Sequence, residues 1–298
     1  MVGKLLGKRY YAEDWYNWFW LYQLKLRLQQ HRQKFELEKA LWDLRFFMRS
    51  PSDRWYVSLF QHAGGKVAGE ATPEYSILEE DTIARVHNIM PDGKLIFSMR
   101  NPLERNYSQA TMMLALRGQN PATATYEQFL ELIDHEGFRQ RTDYLKTLER
   151  WRRFYSDEQI FVVFMEDIHF RPVSLLRSLY RFLRVDPSYA RNAITRKVHS
   201  RSGEKMPTKV AIHLAQAYHK DLQTLSTHFG GYTSFWLYCA EKLTSNDLSE
   251  DLIEYPLWES WLWEEWSGEA RSPKRVESQD GTIQSRSLAQ FTSGNCGS

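Results

Sequence analysis

Cysteine is nearly absent. Cys239 and Cys296 are the only two among 298 residues, which rules out a disulfide framework and favours a reducing or indifferent compartment. Long apolar runs are absent too: no stretch of 18 apolar residues occurs, so no membrane span is expected. The first residues show no apolar core followed by a small-residue cleavage site, so no secretory leader is read. A cytoplasmic location is the expectation. An excess of one charge is also lacking. A net charge of +2 leaves no electrostatic case for nucleic acid. The nine histidines are scattered and form no Cys/His cluster, so no metal is expected. Neither a G-x-S-x-G elbow nor a Walker lysine loop occurs, which excludes the corresponding hydrolases and nucleotide triphosphatases. The length suits one α/β domain with extensions.

What the chain does have is concentrated between Lys94 and Gln109. Leu95 to Met99 is an apolar run that predicts a strand covered on both faces. Asn101 is a good N-cap, Pro102 suits the first helical position, and Glu104 is spaced to complete a capping box. The turn from strand to helix is therefore sharp, and helix starts attract anions. Arg100 adds a positive fork at the junction. Ser108 lies seven residues beyond Asn101, on the same helix face, so Arg100 and Ser108 can close on one phosphate.

Further elements follow from local pattern. Residues 10–42 read as one or two helices, Lys66–Gly69 as a short strand and residues 79–89 as a helix. Pro91-Asp92-Gly93 is a turn, followed by the strand at 94–99 and a helix over 102–117. This order predicts a right-handed parallel crossover. Helices are expected at 126–134 and 142–155, and a buried strand at Ile160–Phe164. Pro172 opens another helix. A long helix spans 208–229, stopped by Gly230-Gly231.

The Lys94–Gln109 segment resembles the 3′-phosphate-binding element of sulfotransferases that use 3′-phosphoadenosine 5′-phosphosulfate (PAPS). Gly69-Glu70-Ala71-Thr72-Pro73-Glu74-Tyr75 resembles the stretch carrying the catalytic glutamate in the heparan-type and bacterial branch. Leu44–Phe47 and Trp55–Phe60 look like its substrate-side loop. Tyr144–Trp151, Gln159–Asp167 and Phe182–Val185 follow its later core. The resemblance runs over roughly residues 39–238. It implies a P-loop-NTPase-like, three-layer α/β fold with a parallel sheet, and PAPS as co-substrate without a metal. It also implies a sulfuryl acceptor that is a hydroxyl or amine, with carbohydrate expected from the branch. By the same resemblance Arg100 and Ser108 hold the 3′-phosphate and Glu70 is the general base. Arg201 and Lys205 stand where a late basic loop contacts the nucleotide in relatives. The bland readings are an Arg100–Glu104 ion pair, a helix serine bonded to its own turn, and solvated or capping roles for Glu70 and the 201–207 loop. Glu166 and Asp167 end a strand and read as caps of the next helix, or as substrate ligands.

One family feature has no counterpart. The first strand and its G-x-x-K-x-G-T-T loop, which cradles the 5′-phosphosulfate, match nothing before Phe46. Gly3–Lys8 lacks the spacing and the Ser/Thr, and Ala63–Lys66 reads as a turn. Lys39, Arg45, Arg49 and Lys66 are the cations nearest the region. Three readings stay open: an active enzyme with that subsite built from elsewhere, a non-catalytic nucleotide-binding or interaction protein, or a chain whose first strand is encoded upstream.

The expected organisation is a helical Trp-rich extension (1–38), the α/β domain (39–238), an acidic Trp-rich segment (239–266) and a disordered polar tail (267–298). Trp15, Trp18, Phe19 and Trp20 make the extension either a helix packed on the body or an interfacial helix touching a membrane surface. Residues 241–270 carry nine acidic residues and one lysine. Trp258, Trp261, Trp263 and Trp266 lie among them and are read as docking on the domain, since four exposed tryptophans are a liability.

Overall fold

The structure, a computed structural model, describes residues 24–31, 37–48, 52–61, 63–189, 204–245 and 251–268. The expectations for the rest of the N-terminal extension, for Arg49, for Arg201 and for the polar tail beyond Gly268 lie outside those residues. Residues 24–31 are helical. In chain order follow α1 (Leu37–Met48), α2 (Asp53–Ser58), α3 (Glu80–Ile89), β1 (Leu95–Met99), α4 (Pro102–Leu116), α5 (Tyr126–Ile133), α6 (Tyr144–Arg152) and β2 (Ile160–Phe164). Then come α7 (Pro172–Leu183), β3 (Glu204–Pro207), α8 (Thr208–Phe229), α9 (Tyr232–Thr244), β4 (Leu252–Tyr255) and α10 (Trp261–Ser267). The class is α/β, mostly helical, with a small parallel sheet. Among the described residues β1 pairs with β2, and β3 with β4.

Two compact units emerge. The first comprises residues 1–95, 146–160 and 182–185, the second residues 96–145, 161–181 and 186–298. In the first, Ile83, Val86, Trp151 and Tyr155 form one buried cluster. Phe46, Trp55, Tyr56 and Leu59 form another. Buried aromatic N–H groups are satisfied by backbone: Trp55 Nε1 donates to Arg45 O at 2.9 Å and Trp42 Nε1 to Leu59 O at 2.9 Å, as buried polar atoms require.

The second unit holds the larger core. Met99, Leu103 and Leu114 from β1 and α4 pack with Leu214 and Leu222 of α8 and Trp236 of α9, all essentially without exposed surface. The stop after α8 is built as its sequence requires. Gly230 and Gly231 have φ of +61° and +52°, a conformation open to glycine at little cost. Ile253, Tyr255, Leu257, Trp258 and Leu262 of the acidic segment are buried in this same core. Trp261, Trp263 and Trp266 pack against it partly buried.

Four sequence expectations are corrected. Lys66–Gly69 is not a strand: the backbone there is irregular and every residue is exposed, and without a neighbouring strand an extended segment has no ladder to join. The predicted strand–helix–strand crossover through it is therefore absent. β1 is not covered on both faces either. Its burial alternates, with Met99 fully buried and Ile96 48% exposed, the pattern of a strand buried on one side. The 201–207 segment is not only a loop, because Glu204–Pro207 pairs antiparallel with Leu252–Tyr255. Finally, Glu104 does not close a capping box, for reasons that bear on the site.

Candidate nucleotide site and candidate base

The junction after β1 is capped as its residues predict. Asn101 Oδ1 accepts from the Leu103 amide at 3.1 Å, and Pro102 occupies the first turn. Glu104, three residues past the cap, turns inward instead of back. It is fully buried; Oε2 accepts from Arg100 Nε at 3.0 Å and Oε1 from the Leu257 amide at 2.8 Å. Burial holds its carboxyl above the usual range, and the Arg100 charge and the Leu257 amide offset that only in part. Both oxygens are occupied by donors, so we take it as ionised. Burial would lower the Arg100 guanidinium, but Glu104 and Tyr255 outweigh it and hold the group above its ordinary range. Arg100 is thus a fixed cation, leashed on one side and 23% exposed.

Its other arm leads to a residue the sequence reading missed. Arg100 Nη2 donates to the Tyr255 hydroxyl, and the guanidinium carbon lies 5.2 Å from the Tyr255 ring centroid. The Ser108 side chain, on the following helix, interacts with the same phenol. Tyr255 is thus the residue with which both Arg100 and Ser108 interact. The backbone of Arg100 is held as well: Tyr144 Oη donates to Arg100 O at 2.7 Å.

Lys205 is not part of this group. It sits opposite Glu254 in the β3–β4 register, next to buried Met206, which pairs with Ile253. Strand neighbours alternate in face, and Lys205 is exposed while Tyr255 shares the buried face of Ile253. Its carbonyl has a positioning role, accepting from Tyr107 Oη at 2.9 Å.

Glu70 lies in the first unit, in irregular backbone just before the 3₁₀ turn Pro73–Ile77. Its Oε1 accepts from Tyr56 Oη at 3.1 Å and from Tyr75 Oη. Its Oε2 is buried with no partner among the described residues. Burial, then hydrogen bonding, shifts both phenols: Tyr56 rises to about 12 and Tyr75 also rises. They stay neutral donors. The turn is secured from α6, where Trp151 Nε1 donates to Tyr75 O at 3.2 Å and Thr147 Oγ1 to Ser76 O at 2.8 Å. One carboxylate oxygen is thus pinned, and the other is an unpartnered acceptor in the described structure. Of the other cations considered, Arg45 is engaged with Ser58 O at 3.2 Å and Lys66 is exposed.

Glu166 is neither solvated nor a helix cap. It is fully buried, with Oε1 accepting from Trp236 Nε1 at 2.6 Å and Oε2 unpartnered among the described residues. Burial, reinforced by Glu104, raises it to about 8. Asp167 pairs with Arg171 at 2.6 Å. Among the described residues no group of three or more His, Cys, Asp or Glu side chains is placed to hold a metal ion. No helix of the described residues is long and apolar enough to cross a membrane.

The α/β chain thus has a strand-to-helix junction at which an arginine and a phenol are joined, with a serine on the same helix. Comparison gives the family. The sulfotransferase domain family matches residues 20–224, and this chain belongs to it. It is 30% identical over 127 residues to human heparan sulfate glucosamine 3-O-sulfotransferase 5, covering 40% of this chain and 36% of that protein. It is 22% identical over 141 residues to the bifunctional heparan sulfate N-deacetylase/N-sulfotransferase of Drosophila melanogaster, covering 43% of this chain and 12% of that one. The chain thus matches only a minor part of each relative's length. A sulfotransferase structure from Alicyclobacillus acidocaldarius superposes with a TM-score of 0.48 at 21% identity, over 62% of this chain and 74% of that one.

Proposed function

We propose that the chain transfers a sulfuryl group from PAPS to a hydroxyl or amine of a carbohydrate. Family membership supports the reaction type, and the two heparan sulfate relatives, one acting on oxygen and one on nitrogen by name, support the acceptor class. The observation that carries the donor is the gathering of Arg100 and Ser108 around Tyr255, whose hydroxyl accepts from Arg100 Nη2. In this reading Arg100 and Ser108 grip the 3′-phosphate.

The chemistry is an in-line displacement at sulfur. The acceptor oxygen or nitrogen forms a bond to sulfur as the bond from sulfur to the bridging phosphate oxygen breaks. The electron pair of that bond leaves with adenosine 3′,5′-bisphosphate, and the acceptor proton passes to Glu70 Oε2. Positioning and charge stabilisation supply most of such a barrier reduction. A properly oriented base adds about 10²–10⁴-fold.

The test is transfer of labelled sulfate from PAPS to heparan-type oligosaccharides. Glu70→Gln is expected to lower kcat by at least about 100-fold while adenosine 3′,5′-bisphosphate binds as before. A near-normal rate in that variant removes Glu70 from the mechanism. A second reading, a nucleotide-binding relative without turnover, is favoured by one observation: no G-x-x-K-x-G-T-T pattern occurs in the 298 residues. Bisphosphate binding without any transfer by the wild-type chain selects it.

A further inference from the structure

We propose that Tyr255 is a third ligand of the nucleotide 3′-phosphate, so that the acidic C-terminal segment is a built part of the nucleotide site. The inference rests on the donor reading above and extends it to a residue 155 positions beyond Arg100. No spacing in the sequence links the two.

Three features of the second unit carry it. The first is convergence. The Tyr255 phenol oxygen accepts a hydrogen bond from the Arg100 guanidinium, and the phenol also interacts with the Ser108 side chain. Three donors gathered around one phenol can address three oxygens of a tetrahedral phosphate. Burial, ahead of the opposing Arg100 charge, raises the Tyr255 phenol. It therefore keeps its proton, and a neutral phenol can donate to an anion.

The second is immobility. The Tyr255 ring is only 4% exposed and packs edge-on against Tyr107 at 5.1 Å between centroids. Its strand is paired with β3, and β3 is tied to α4 by the Tyr107–Lys205 carbonyl bond. The hydroxyl is held in place by its ring and cannot swing aside without unpacking the core. It joins an incoming phosphate instead of yielding to it.

The third is a closed circuit. Two residues beyond Tyr255, the Leu257 amide donates to Glu104, whose other oxygen holds Arg100 Nε. Arg100 in turn donates to Tyr255. The segment thus reaches the phosphate arginine by two independent bonds, one setting its charge and one setting the direction of its free arm. Pre-orientation of this kind lowers the ordering cost on binding.

The experiment compares binding of adenosine 3′,5′-bisphosphate and adenosine 5′-phosphate by calorimetry in wild type, Arg100→Ala, Tyr255→Phe and Leu262→Ala. Tyr255→Phe keeps the ring and loses only the hydroxyl. It is expected to weaken the bisphosphate about tenfold, the value of one hydrogen bond to a charged group, and to leave the 5′-phosphate unchanged. Leu262→Ala loosens the same segment at a core residue that makes no bond to the site, so it lowers the melting temperature and keeps the preference between the two nucleotides. Bisphosphate affinity unchanged or increased in Tyr255→Phe, with Arg100→Ala weakened, overturns the proposal; tighter binding would mean that the hydroxyl competes with the anion. Loss of preference in Leu262→Ala equal to that in Tyr255→Phe also overturns it, since packing alone then explains the effect. If Arg100→Ala binds like wild type, or wild type does not prefer the bisphosphate, the donor reading itself fails, and this inference with it.

Discussion

At the scale of single residues, Glu166 has the most measurable consequence. Its carboxyl is enclosed, with Glu104, Arg100, Cys239 and Tyr232 among the ionisable groups around it, and Trp236 donates to one oxygen. The folded value of about 8 lies above the ordinary 4.5. Between those values the folded chain keeps a proton that the unfolded chain has lost. The folded state binds more protons there, so stability falls as pH rises. The contribution is complete below about pH 4.5 and is gone above about pH 8. The loss across this window is on the order of a few kcal/mol. Glu166→Gln retains an acceptor for Trp236 and cannot ionise. Denaturant titrations at pH 5, 6.5 and 8 should show a declining stability in wild type and a flat one in the variant; parallel curves would show that Glu166 is not the titrating group. Sequence alone placed Glu166 at a strand end with a capping role. Its burial depends on Trp236, 70 residues away, and no local pattern reports such a neighbour.

Among the elements, those with a strong local signal were read closely. β2 falls at Ile160–Phe164 and α8 at Thr208–Phe229, as periodicity and punctuation by proline and glycine predict. The Lys66–Gly69 strand failed because a strand is defined by its partner, and four exposed residues have none. β3, β4 and α9 were not read at all. The two strands are four residues each, too short for alternation to stand out, and their pairing spans a gap of more than forty residues. α10 shows how firmly the acidic segment is attached. Leu262 has no exposed surface and lies in the main core. Leu262→Ala is expected to cost about 2–5 kcal/mol, read as a lower denaturation midpoint of the single transition that also unfolds α8. A loss below about 0.5 kcal/mol would mean that the segment rests on the surface.

For the whole molecule, the order of motifs along the chain determined the family and the class. Caps, turns and apolar runs are local, and a resemblance built from several of them in sequence survives low identity. The residue types of the candidate site were legible in the same way, because Glu70, Arg100 and Ser108 sit in short characteristic stretches. What surrounds them was not. The two tyrosines that pin one oxygen of Glu70, the turning of Glu104 away from its own helix, and the gathering of Arg100 and Ser108 around Tyr255 were decided by tertiary structure. The physical reason is the same in each case. A buried polar atom must find a partner wherever the fold brings one within 3 Å or so, and that partner can come from any distance along the chain.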